Sequence, residues 1–182
     1  KTVLELGGSD PYLVLKDADL EKASNACLKG RLLNTGQSCI AAKRFIIEES
    51  VKSKFEKMIV GKIKKQVIGD PFDENTTIGP MVSIDARNEL IRQVKASVRA
   101  GAKVLYKSLI PSVKNSAYHP VMVLNNVLPG MPAFDEELFG PVASIISAKD
   151  KSSAITLANQ TCFGLGAAVF TSDLEEGRRI AE

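Results

Sequence analysis

Two hydrophobic periods alternate along the chain. Short β-type runs occur at Tyr12–Leu15, Lys43–Glu48, Lys103–Tyr106, Val121–Val127, Pro141–Ser147 and Ala167–Thr171. Their lengths and apolar content predict strands. A further run, Lys1–Leu6, ends in Gly7-Gly8. Between the runs, apolar residues recur at helical spacing. Leu20, Ala23, Cys27 and Leu28 follow Asp17 or Asp19, either of which is a candidate N-cap. Val51, Phe55, Met58, Ile59 and Ile63 follow Ser50, another candidate cap. Leu90, Ile91, Val94 and Val98 follow Ser83 and stop at Gly101. A helix is predicted over Lys151–Gln160, and Ser172 with Glu175 reads as a capping box for a last helix. The stretch from Lys107 to Pro120 reads as an exposed loop. Repeated βα units of this kind predict an α/β fold with a mainly parallel sheet flanked by helices.

Composition fits one globular domain. The chain has 182 residues, 45% of them hydrophobic and 25% charged, which excludes disorder. The net charge of +3 comes without a basic stripe interleaved with aromatics, so nucleic acid is not an expected partner. Lys52, Lys54, Lys57, Lys62, Lys64 and Lys65 lie mostly opposite an apolar stripe and read as a solvated helix face. No apolar run approaches the roughly 18 residues of a membrane span. Three scattered cysteines and a single histidine give neither a disulfide framework nor a metal site, and a reducing, cytoplasmic setting fits them. The chain opens at Lys1 without Met and stops inside a helical pattern, so a piece of a longer protein is expected.

Three segments are candidates for chemistry. Cys39 follows the polar, glycine-containing segment Asn34-Thr35-Gly36-Gln37-Ser38. An ordinary thiol has a pKa of about 8.5, and backbone donors or cations lower it; Lys43 and Arg44 are close in sequence. Glu5 sits in Leu4-Glu5-Leu6-Gly7-Gly8, where burial would raise its pKa and suit it to take a proton from water. Glu136-Glu137-Leu138-Phe139-Gly140-Pro141 places two acids before a Phe-Gly-Pro turn. Taken one at a time, each has a plainer reading: an inert thiol, a strand-end carboxylate in solvent, and a surface acidic turn with a core Phe. Gly164-Leu165-Gly166 lacks the third glycine of a phosphate loop and precedes a strand. A Cys/His hydrolase would need Cys39 paired with His119, the only histidine, and nothing in the pattern supports that pairing.

Together the segments resemble the aldehyde dehydrogenase superfamily. The matching stretches are LELGGSDP (4–11), DADLEKA (17–23), NTGQSCIAAKRFI (34–46), GDPFDENTTIGPM (69–81), EELFGPV (136–142) and NQTCFGLGAAVFTSDLE (159–175), in family order over nearly the whole chain. The finer likeness, carried by NTGQSCIAAKRFIIEE and ARNELIRQVKASVRAGA, is to bacterial NAD(P)-dependent succinate-semialdehyde dehydrogenases. The resemblance implies the catalytic domain of that fold over residues 1–182. It implies Cys39 as nucleophile and Glu5, 34 residues upstream, as general base. It also implies Glu137, Phe139 and Leu6 beside an NAD or NADP cofactor, and Asn34, Gly36 and Gln37 shaping the nucleophile loop. A small aldehyde such as succinate semialdehyde is the implied substrate, and a homo-oligomer the implied state of the full-length protein.

The family's main cofactor-binding domain and its C-terminal tail are not in this sequence. The isolated chain is therefore expected to be inactive or nearly so, and a silent fragment or an assembly module is the alternative. Acylating relatives, which pass the thioester to coenzyme A, typically lack the water-activating Glu, and Glu5 argues against them. Some semialdehyde enzymes place Arg immediately before NTGQ to hold the substrate carboxylate. Here that position is Leu33, with Arg31 two residues back, so such an anchor would lie elsewhere.

Overall fold

The structure, a computed structural model, describes residues 1–4 and 6–182. In chain order its elements are β1 (Asp10–Val14), α1 (Leu20–Leu32), β2 (Ala42–Glu48), α2 (Glu49–Ile63), α3 (Ile84–Arg99), β3 (Lys103–Lys107), β4 (Met122–Asn125), α4 (Pro132–Asp135), β5 (Val142–Ala148), α5 (Lys151–Asn159), β6 (Ala168–Phe170) and α6 (Leu174–Ala181). The strands form one sheet in the order β3-β4-β5-β2-β1-β6. Every pairing is parallel except β3 with β4.

Helices cover both faces of the sheet. On one face Phe45 and Ile47 of β2 and Ile145 of β5 pack against Ala23 and Cys27 of α1 and Phe55 and Ile59 of α2. On the other, Ile46, Val142 and Ile146 pack against Leu90 and Val94 of α3, Phe134 of α4 and Ala154 of α5. A strand covered on both faces needs no polar side, which explains why all seven residues of β2 are buried. Antiparallel β3, by contrast, is a mostly exposed edge.

Local chemistry sets most helix starts. Asp19 caps α1, accepting from the N–H groups of Glu21 and Lys22, and Ser83 caps α3. Asp150 and Ser153 form a capping box on α5. Each such cap contributes about 1 kcal/mol.

Several expectations are corrected. Asp17 is not a cap, because its carboxylate is taken by Thr171 and Ser172 just after β6. Ser50 does not cap α2, which begins directly from β2 at Glu49 with no side-chain cap. The last helix is capped by Asp173, accepting from the Glu176 N–H, and not by a Ser172–Glu175 box. Lys1–Leu4 and Leu6 belong to no strand, and the first strand starts at Asp10. Residues 108–121 form no helix or strand, but His119 within them is buried.

Candidate active site

Three adjacent parallel strands aim their amino ends at one place. Gly7-Gly8 leads into β1, Cys39 lies just ahead of β2, and Glu137 lies just ahead of β5, and the sheet sets these strands side by side as β5-β2-β1. Residues distant in sequence thereby meet. The Gly8 N–H donates to Glu137 Oε1 at 3.1 Å. Gly8 has to lack a side chain, since a Cβ there would stand 2.5 Å from the Cys39 carbonyl oxygen.

The loop carrying Cys39 is bent by unusual backbone. Residues Leu33–Gly36 form a 3-10 turn in which Asn34 (φ 50°, ψ 41°) and Thr35 (φ 58°, ψ 26°) are left-handed. Non-glycine residues hold such angles only when their surroundings insist. Asn34 Nδ2 donates to the Gln37 carbonyl at 3.0 Å, and Gln37 Nε2 returns a bond to the Asn34 carbonyl at 3.2 Å. Gln37 Oε1 accepts from the Val82 N–H at 2.8 Å, tying the loop to the start of the α3 segment. Gly36, at φ 74°, lies so close to Gly140 that a Cβ would fall 2.4 Å from its carbonyl oxygen. Asn34, Gly36 and Gln37 thus shape this loop through bonds and a contact that can be named.

Two buried cations lie beneath the loop. Arg31, at the end of α1, is 1% exposed and donates from Nη2 to the Gly36 carbonyl at 2.6 Å. Burial pulls its pKa down to about 10, and Glu137 opposes the drop. Its Nε and Nη1 are buried without a hydrogen-bond partner. Lys43, the second residue of β2, donates from Nζ to the carbonyls of Ser38 and Cys39, each at 2.9 Å. The same ammonium pairs with Glu137 Oε1 at 3.0 Å. Burial and then Arg31 lower the Lys43 pKa, while Glu137 and Asp10 raise it.

Glu137 and Phe139 are half-buried, and Cys39 is partly exposed. Leu6 is 78% exposed. Glu5 lies outside the described residues. Glu136 faces away from this cluster, accepting from Arg92 and Gln93, while Gln93 also holds the Glu137 carbonyl at 3.1 Å. The other thiols differ: Cys27 is buried in the core, where desolvation raises its pKa, and Cys162 is exposed. His119 is in the loop before β4, its Nδ1 against the Pro120 carbonyl. Among the described residues no group of His, Cys, Asp and Glu is placed to hold a metal. No described helix is long and apolar enough to cross a membrane.

Sequence reasoning noticed Lys43 only as a neighbouring cation. The signal was available, since a Lys-Arg pair opens an otherwise apolar parallel strand. Two successive charges at such a place must point to opposite faces and each find partners.

The profile of the aldehyde dehydrogenase family matches residues 1–182. The chain belongs to the aldehyde dehydrogenase family. Among members of the family, it is 49% identical over 181 residues to the succinate semialdehyde dehydrogenase [NAD(P)+] Sad of Escherichia coli, covering 100% of this chain and 39% of that protein. It is 43% identical over 182 residues to the succinate-semialdehyde dehydrogenase [NADP(+)] of Deinococcus radiodurans, covering 100% of this chain and 38% of the relative. The chain therefore spans well under half the length of these family members. Among solved structures, betaine aldehyde dehydrogenase of Staphylococcus aureus in complex with NAD+ superposes with a TM-score of 0.91 at 32% identity, covering 97% of this chain and 36% of that one. An NADP-dependent enzyme of E. coli superposes equally well, with a TM-score of 0.91 at 31% identity and the same coverage. The α/β architecture with its mostly parallel sheet is that of the family.

Proposed function

We propose that residues 1–182 are the catalytic domain of an NAD(P)+-dependent aldehyde dehydrogenase that oxidises a small semialdehyde, succinate semialdehyde, to its carboxylic acid. The observation that carries this reading is the convergence of Gly8, Cys39, Lys43 and Glu137 at the amino ends of β1, β2 and β5. The substrate follows from the identity to the E. coli and D. radiodurans enzymes.

The residues present fit a nicotinamide ribose. Glu137 commits Oε1 to the Gly8 N–H and to Lys43. Its Oε2 has no donor among the described residues and faces the position where Gly7 lacks a Cβ, 2.9 Å away. A carboxylate oxygen left in that state is an acceptor for a ribose hydroxyl. Glu137 would hold the ribose there, with Phe139 and Leu6 beside it. The cofactor, when bound, supplies the hydride acceptor.

Cys39, as thiolate, adds to the aldehyde carbon to give a thiohemiacetal. Its own backbone N–H stabilises the oxyanion. Loss of hydride converts this adduct to a thioester on Cys39. Glu5 then removes a proton from water, whose oxygen attacks the thioester and releases the acid and the thiol. Arg31 is not the anchor for a substrate carboxylate in this scheme, since its guanidinium is enclosed beneath the loop.

Iodoacetamide labelling tests the proposal, with Cys27 and Cys162 as buried and exposed references. Cys39 is expected to label faster than Cys162 at pH 7, and succinate semialdehyde to slow it. A Cys39 that labels no faster than Cys162, or is indifferent to the aldehyde, overturns the reading. In a protein with the whole cofactor site, Glu5→Gln is expected to accumulate the acyl-enzyme.

A further inference from the structure

Lys43 is an expensive residue for the start of a core strand. Its side chain is 2% exposed, and an ammonium taken from water is tolerated only where acceptors replace its hydration. The acceptors here are not those of a generic core. They are the carbonyls of Ser38 and Cys39 at 2.9 Å, that of Ala41 at 3.4 Å, and Glu137 Oε1 at 3.0 Å. One ammonium therefore holds the main chain of the thiol-bearing residue and the carboxylate assigned above to the ribose.

We propose that Lys43 is a positioning residue, which locks the Cys39 loop to Glu137 and supplies the positive charge that favours the Cys39 thiolate. The inference rests on the function proposed above. Two features carry it beyond a packing role. First, the bonds run to successive carbonyls of one loop. Without Lys43, the Ser38 and Cys39 carbonyls would lose the donor that turns them inward. Second, the ammonium is placed at the thiol-bearing residue itself. Lys43 faces Arg31, Glu137 and Asp10, and Asp10 also faces Arg44, which in turn faces Asp135. The Lys43 ammonium is bonded to the Cys39 carbonyl at 2.9 Å, which sets a positive charge beside that residue. Glu137 restrains that field, and Lys43 maintains it.

The test is the pH profile of Cys39 alkylation by iodoacetamide in this chain, read peptide by peptide by mass spectrometry, with Cys162 as internal standard. Lys43→Met removes the charge and keeps the length of the side chain. It is expected to move the Cys39 midpoint upward by about one pH unit, with roughly tenfold slower labelling near pH 7. Lys43→Arg is expected to recover most of the shift. Glu137→Gln, which removes the opposing charge, is expected to move the midpoint downward. If Lys43→Met fails to fold by circular dichroism, Lys43→Gln takes its place with the same expectation. An unchanged midpoint overturns the proposal. So does a rate change that is uniform across pH, the mark of a loop merely loosened, or a shift of the same sign in Glu137→Gln. Failure of succinate semialdehyde to protect Cys39 in the unaltered chain would instead overturn the proposed function and leave this comparison of profiles standing.

Discussion

Lys43 and Arg44 are neighbours in sequence, both buried and both cationic, yet they serve different parts of the molecule. Lys43 gathers carbonyls from the loop it follows and joins them to Glu137. Arg44 points to the other face of the sheet. It donates to the carbonyls of Ser9 at 3.1 Å and of Leu157 and Ala158 at 2.9 Å, and its guanidinium carbon lies 5.3 Å from the centre of the Phe134 ring. Arg44 thereby fastens the lead-in to β1 and the end of α5 onto the sheet. The two-residue period of a strand separates these duties across about the thickness of one backbone. One cation builds the scaffold and the other serves the Cys39 loop.

Substitutions can break that division of labour. Arg44→Met should have the largest effect. It leaves three inward carbonyls without their donor and is expected to cost about 4 kcal/mol in urea unfolding, while the pH midpoint of Cys39 alkylation stays where it is. A joint loss of stability and thiol reactivity would show that the two faces are not separate.

Another buried basic group, His119, takes the opposite course and gives up its proton. Burial pushes its pKa down to about 4, with the Pro120 carbonyl opposing and Lys107 and Arg87 assisting. The unfolded histidine titrates at about 6.5, so between that value and about 4 the unfolded state binds the extra proton. The neutral form's stability is intact above about pH 6.5 and is lost as pH falls toward 4. Relative to His119→Gln, the protein should lose about 3 kcal/mol over that window in unfolding experiments.

On the Lys43 side, Gly36→Ala should cost about 2 kcal/mol, because the new Cβ meets the Gly140 carbonyl and the φ of 74° is strained for alanine. It should also slow Cys39 labelling, which Arg44→Met should not. The smallest effect belongs to a charge in solvent. Asp17 is held below the usual carboxylate range by the hydroxyls of Ser172 and Thr171. Its contribution is present above about pH 4 and lost as pH falls through the folded value. Asp17→Asn should cost less than about 1 kcal/mol at pH 7, the difference fading in acid.

The periodic parts of the chain could be read from sequence. The run at 43–48 and the helical stripe from Val51 to Ile63 have one period each, and the structure places them as β2 and α2. Caps were less legible because several polar residues compete. Asp17 and Asp19 are both competent N-caps, and a contact with residues 171 and 172, far along the chain, decides between them. Ser50 lost its role because β2 turns into α2 with no intervening coil. Around the site, the motifs drew attention to Cys39 and Glu137. They did not reveal what joins them, since β2 is buried on both faces and period alone does not say which neighbours a buried charge will meet.

The way the centre is assembled has a consequence for how the protein is made. Synthesis runs from one end of the chain to the other, so Cys39 leaves the ribosome about a hundred residues ahead of Glu137. Until β5 arrives to lie beside β2, Glu137 is not there to pair with the Lys43 ammonium or to accept from the Gly8 N–H. The nascent polypeptide thus carries Cys39 through much of its early life without the finished cluster, and assembly of the central strands is the step that completes it.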